Sequence, residues 1–342
     1  MFNIVQRRNY FFAFSGIIIL AGLIAMAISI ATYPEHSPVR LSIDFVGGSL
    51  VEFQFVPAPG KAQTGQINEA LIQSAFQDYS SDIRIQRLGA AAGTTEGGNA
   101  QQSTDTSLSR WQVRLTYLDN DTSNKVKAAL NAKAQAIGYQ LDEGTFANNT
   151  VSPIVGSQVT TAAVIAVLVA TLVVLGWIWY AFRQVTDPWR YAVCAILALI
   201  HDVLVMTGVM SIMGLVFKWE ADALFLTGLL TVVGYSVQDT IVVFDRIREN
   251  SARHRGEPYE MIVNRSILET LGRSISMQLV VGFVMISLFL MGGSSIRQFV
   301  GVLLIGLLSG TYSSTFTAIP LLVAWEEGHL FVTRKQTVVS PA

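Results

Sequence analysis

Asp239 places a carboxylate inside an otherwise apolar run, within the string from Gly234 to Asn250. At the centre of a membrane helix such a charge costs on the order of 3 kcal/mol on insertion scales, so it faces a bundle interior or a water path and marks a functional site. Thr227, Thr231, Tyr235 and Asp239 recur every fourth residue and fall on one stripe of a helix, with Gln238 and Thr240 flanking the acid. Arg273 stands near the start of the next apolar run, with Ser274, Ser276 and Gln278 close behind. In antiparallel neighbouring helices Asp239 and Arg273 fall at similar depth, where the guanidinium favours the carboxylate and desolvation opposes it. That balance brings a carboxyl within reach of cellular pH, as a proton carrier requires. The alternative is a fixed structural ion pair. Buried pairs are weak stabilisers, which favours titration.

His201 and Asp202 form a second polar pair near the middle of another apolar run. A histidine beside an acid extends a relay if the two touch, but adjacent helix positions point about 100° apart and need not do so. Structural polar packing explains the pair equally well. No metal site is expected, because no cysteine or second histidine lies at ligand spacing. Cys194 is alone and inside an apolar run, so no intramolecular disulfide is possible. Asp44-Phe45-Val46-Gly47-Gly48 lacks both the glycine spacing of a dinucleotide turn and a phosphate-binding lysine, and reads as a turn or close backbone approach. Nothing in the chain asks for a cofactor or a nucleic acid, and no nucleophile or redox signature marks an enzyme.

These residues need a scaffold that crosses a bilayer. Of 342 residues, 51% are hydrophobic and 14% charged, and the apolar residues gather into blocks of the roughly 20 residues that span hydrocarbon. The blocks lie near residues 10–31, 159–182, 192–213, 221–244, 275–291 and 299–325, which gives six spans. The formal net charge of −1 is uninformative, because the charges are sorted by side. Arg7 and Arg8, Arg183 and Arg190, the arginines from Arg246 to Arg265, and Arg334 with Lys335 all fall on one side. The positive-inside rule makes that side cytoplasmic, with both termini inside. Asp239 then lies in the cytoplasmic half of its helix, about 8 Å from the Phe244 end. Asp245, Arg246, Arg248 and Glu249 read as a solvated, charge-paired helix terminus. The first span is too long for a signal-peptide core, and no Ala-x-Ala-like site follows it. Gly306, Gly310 and Ser314 form a small-residue stripe that admits a neighbouring helix, though glycine is common in such helices.

Residues 32–158 have soluble composition and are expected on the outer face, ahead of a five-helix bundle at 159–325 and a cytoplasmic tail at 326–342. Val51, Phe53 and Phe55, then Ile83 and Ile85, then Trp111, Val113, Leu115 and Tyr117 alternate with polar residues as half-buried strands do. Ile67, Leu71 and Phe76 after Thr64, and Val126, Leu130, Ala134 and Ile137 after Thr122 and Ser123, mark two amphipathic helices. With a weaker strand near 149–155 the order is βαββαβ, a ferredoxin-like α+β domain. Residues 89–107 are polar and aperiodic, which predicts a mobile insert.

Taken in order, the string from Gly234 to Asn250, Ile43 to Gly48, His201-Asp202, and Gly310 to Ser314 with Ala318-Ile-Pro320 resemble the SecF family over nearly the whole chain. That family supplies the smaller subunit of the SecD/SecF accessory complex of protein export, within the resistance-nodulation-division (RND) superfamily. The resemblance implies a multi-pass plasma-membrane (cell inner membrane) protein that works with SecD and uses the proton-motive force to help preproteins through the SecYEG channel. YajC and YidC belong to the same implied set of partners. It also implies that Asp239 and Arg273 are the essential proton-conducting pair, and that SecD is a separate polypeptide. Gln238, where the family often has Asn, and Ser42, where it usually has Gly, depart from the pattern without altering a titrating group. Two other readings stay open at this point. One is a small-molecule or lipid exporter of the same superfamily, which the short Gly292–Ser295 connection disfavours; the other is a purely structural assembly subunit.

Overall fold

The computed structural model describes residues 4–79, 83–88, 110–185, 187–292 and 294–328. The proposed insert at 89–107, Arg334, Lys335 and most of the 326–342 tail lie outside them. In chain order, helix α1 (Arg8–Thr32) is followed by a short helix α2 (Ile43–Val46), strand β1 (Gly48–Pro57), α3 (Glu69–Phe76), β2 (Arg84–Leu88) and β3 (Arg110–Leu115). Then come α4 (Asn120–Ala136), β4 (Tyr139–Leu141), β5 (Ala147–Val151), α5 (Pro153–Ala181), α6 (Pro188–Phe217), α7 (Ala223–Arg253) and α8 (Tyr259–Met291). The last span is α9 (Ser294–Ser313), a π-helical segment Ser314–Ala318 and α10 (Ile319–Glu327). Contacts divide the chain into a unit of residues 1–41 with 163–342 and a second unit of residues 42–162, against the 32–158 expected for the latter.

In the second unit β1 is the centre of an antiparallel sheet ordered β2-β3-β1-β4, with β5 also on β1. β3 pairs with one stretch of β1 through Val51↔Val113 and Phe53↔Trp111. β4, on residues 55–57, is a further short strand that the alternation does not mark, while β5 pairs with residues 48–52 and is the strand expected near 149–155. Residues 153–155, expected to end that strand, open α5 instead, since proline suits the first turn of a helix. Val51, Phe53, Phe55, Trp111, Val113, Phe76, Val126 and Leu130 form one core. The alternation ends sooner than expected: Tyr117 is exposed and Leu118 is buried in its place. The helix starts also move. α3 is capped by Asn68, which accepts from the Leu71 N–H at 2.9 Å, rather than by Thr64, and α4 by Asp119 rather than by Thr122 or Ser123.

Among the described residues, six helices are long and apolar enough to cross a membrane. α7 is capped by Asp222, which accepts from the Phe225 N–H at 2.8 Å. It runs on past its apolar part because Arg248 pairs with Asp245 at 2.6 Å and Arg253 with Glu249 at 2.7 Å, at helical spacing. The helix that carries the fifth span begins at Tyr259, ahead of the apolar run at 275–291: Ile262, Val263 and Ile267 are buried on one face of a mixed-polarity stretch that a search for continuous apolar runs passes over. The small residues of the sixth span mark its closest packing. A Cβ on Gly306 would lie 2.5 Å from Val232 and 2.8 Å from the Met206 sulfur, and one on Gly310 would lie 3.2 Å from the Ser236 Cβ.

Candidate functional site

Asp239 sits on α7 where that helix meets α8, and only 5% of it is exposed. Its Oδ2 accepts a hydrogen bond from Gln278 Nε2 at 2.9 Å, and Ser274 lies close enough to interact with the carboxylate. The residues open onto a cleft of about 520 Å³ lined by Tyr235, Gln238, Asp239, Met277 and Gln278. The depth argument therefore brings α8 to the acid but with a different residue in front of it. Arg273 precedes Gln278 by five positions, about 7.5 Å along the helix, and no ion pair joins it to Asp239 among the described residues. It lines a separate cleft of about 430 Å³ with Asp245, Arg246, Arg248, Glu249 and Glu269. There Arg246 holds Glu269 at 2.6 Å as well as Glu249, as a charge-paired helix terminus should.

The partner matters chemically. A guanidinium only donates and holds a facing carboxyl ionised, whereas a primary amide both donates and accepts. Gln278 thus satisfies a carboxylate through Nε2 and, after an amide flip, a carboxylic acid through Oε1, an atom otherwise buried without a partner. The threonine stripe does not extend this site. Thr227, Thr231 and Thr240 donate to the carbonyls of Ala223, Thr227 and Ser236 on their own helix. Successive steps of four residues drift round a helix, so Thr227 and Thr231 are exposed while Asp239 is buried.

His201 and Asp202, which adjacent helix positions need not bring together, do touch, with Nδ1 and Oδ1 3.2 Å apart. Asp202 is fully buried and also accepts from Ser236 at 2.6 Å, Ser309 at 2.7 Å and Ser313 at 2.7 Å. None of the three serines stood out as its partner in the sequence, since their meeting depends on packing between helices. In the other unit Asp44 lies in the first turn of α2, whose cap is Ser42. Gly47 and Gly48 have φ of +83° and +126°, and added Cβ atoms would come within 2.6 Å of Pro153 and 2.8 Å of the Leu115 carbonyl, so this is a close backbone crossing open only to glycine.

A multi-helix membrane bundle with a buried acid, joined in sequence to a small α+β unit, is a transporter-like architecture, and comparison with known proteins narrows it. Residues 132–328 match the family described as "Protein export membrane protein SecD/SecF, C-terminal", and residues 36–59 match the "SecD/SecF GG Motif", which contains Gly47 and Gly48. The chain is 41% identical to the protein translocase subunit SecF of Anaerolinea thermophila over 96% of this chain and 95% of that one. It is 40% identical to the SecF of Thermobaculum terrenum, over 95% and 94%. The crystal structure of SecDF from Thermus thermophilus, described as a translocon-associated membrane protein, superposes with a TM-score of 0.71 at 28% identity. That match covers 95% of this chain and 39% of that one. The chain belongs to the SecD/SecF family of protein-export membrane proteins.

Proposed function

We propose that this chain is a SecF-type subunit that works with SecD, uses the proton-motive force to assist preprotein translocation through the SecYEG channel, and carries the proton on Asp239. The observation that carries the proton assignment is the neutral partner: a buried carboxyl on an open cleft, faced by an amide able to serve both protonation states. Gaining a proton removes the charge that makes burial costly, so Asp239 in its two forms favours different packing of α7 against α8. Arg273, set about 7.5 Å away along α8, stabilises the ionised form when the helices shift and repels a second cation. Gln238 on the exposed face of α7 is expensive against lipid and supports a protein partner there, which we assign to SecD.

Residues 42–162 are read as a ferredoxin-like domain on the extracytoplasmic face that meets the emerging preprotein, with both termini cytoplasmic and YajC and YidC as further partners in the assembly. The small-molecule exporter reading is disfavoured because α8 ends at Met291 and α9 begins at Ser294, leaving no room for a second outer domain. Copurification with SecD, followed by translocation into vesicles with and without an imposed proton gradient, tests the proposal. Stimulation that appears only with both subunits and a gradient is expected; equal translocation without either would refute it.

A further inference from the structure

The strongest unassigned feature is the enclosure of Asp202. Its two carboxylate oxygens are filled from three spans: Oδ2 by Ser236 of α7 and Ser313 of α9, and Oδ1 by Ser309 of α9 and His201 of its own helix. His201 is itself packed against the Tyr312 ring at 6.1 Å, and the Tyr312 hydroxyl donates to the Phe11 carbonyl of α1 at 2.8 Å. A carboxylate with several donors is well satisfied even when buried, so this acid is a fixed point of the bundle. Around it the α7–α9 seam is lined by glycine, with Gly310 against Ser236 and Gly306 against Val232. Small residues let the two helix backbones approach closely. The π-helical segment Ser314–Ala318 starts at the residue after Ser313, and such insertions favour functional positions in helices.

We propose that Asp202 is a positioning residue for Asp239: a clasp that, through Ser236, fixes the rotation of α7 and hence the direction in which Asp239 faces α8. Ser236 and Asp239 are three residues apart, which sets them about 60° apart around the helix. One is tied inward to Asp202 and the other outward to Gln278. Rolling α7 would strain both bonds, so the inner one sets the geometry of the outer one.

This inference rests on the proton-carrier reading of Asp239 only for its functional consequence, and a geometric readout separates the two. In the full chain with SecD, and with Cys194→Ala, cysteines at Gln238 and Met277, both lining the Asp239 cleft, are joined by a short bifunctional thiol reagent. Ser236→Ala should change the cross-linking rate about tenfold, the effect in an equilibrium of losing one hydrogen bond to a charged group. Asp202→Asn should act in the same direction, and Ser236→Thr, which keeps the hydroxyl, should restore the rate. Ser309→Ala, which removes a hydroxyl from α9 and leaves the α7 tie, should change it far less. The pH of half-maximal gradient-dependent stimulation should move in Ser236→Ala and stay in Ser309→Ala. An unchanged cross-linking rate in Ser236→Ala at normal protein level, or equal changes in the two alanine variants, would overturn the clasp. An altered rate in Ser236→Ala alongside normal stimulation by Asp239→Asn would leave the clasp standing and refute the proton reading.

Discussion

Asp239 and Asp202 carry the same side chain in different surroundings. Three serine hydroxyls and the His201 ring surround Asp202, whereas Asp239 meets the Gln278 amide, with Ser274 close by, and borders a cleft; it is Asp239 that we propose changes protonation state. Gln278→Leu removes the group that serves both states of Asp239 while keeping the volume of the contact. It should lower gradient-dependent stimulation roughly tenfold, the scale of one charge-assisted hydrogen bond, with SecD binding near normal; assay of copurified complexes at matched protein level checks both. Asp239 stands out in the sequence because a lone acid in an apolar run is anomalous by itself. Gln278 was visible only as a polar neighbour of Arg273. Choosing between them takes the axial register of two helices, and a stagger of five residues along α8 decides it.

Elements were legible to the degree that their periodicity is local. The spans and the strands of β1 and β3 follow from continuous or alternating apolar residues. β4 is three residues long, and the π segment lies inside a continuous helical span and differs from it in hydrogen-bond pattern, so neither leaves a periodic signal of its own. Alternation on β3 has a direct consequence: Val113 is fully buried opposite Val51. Val113→Asp should destabilise the unit by roughly 4 kcal/mol or more, the range reserved for burying an unpaired charge. Protease cleavage within residues 42–162 of the full chain should rise accordingly; the same resistance as the parent would contradict the assigned core. At the start of α4, the Thr122 hydrogen bonds to Asp119 hold that carboxyl below its usual range. A depressed folded value means the cap is in place above the unfolded pKa of about 3.9 and is lost as pH falls through the folded value. Protection of the first-turn amides of α4 in hydrogen exchange should fall over that acidic window, and should be lower and nearly pH-independent there in Asp119→Ala.

At the scale of the whole molecule the proposed orientation and proton cycle make separate demands. In a Cys194→Ala chain in intact cells, a cysteine replacing Glu143, whose side chain is 84% exposed, should react with an impermeant thiol reagent. One replacing the exposed Arg255 should not react until the membrane is opened. The reverse pattern would invert the arrangement inferred from the arginines. Charge sorting carries this information because the Lys/Arg bias of the short loops beside the spans sets orientation without reference to packing. The measurement that bears most directly on the central claim is gradient-dependent stimulation of preprotein translocation by SecD-bound wild type, Asp239→Asn and Arg273→Ala, in vesicles at matched protein levels. Asn keeps the shape and hydrogen bonding of Asp239 but cannot exchange a proton, so the account predicts that Asp239→Asn abolishes the gradient-dependent part of translocation and that Arg273→Ala does the same. Full stimulation by Asp239→Asn would contradict it.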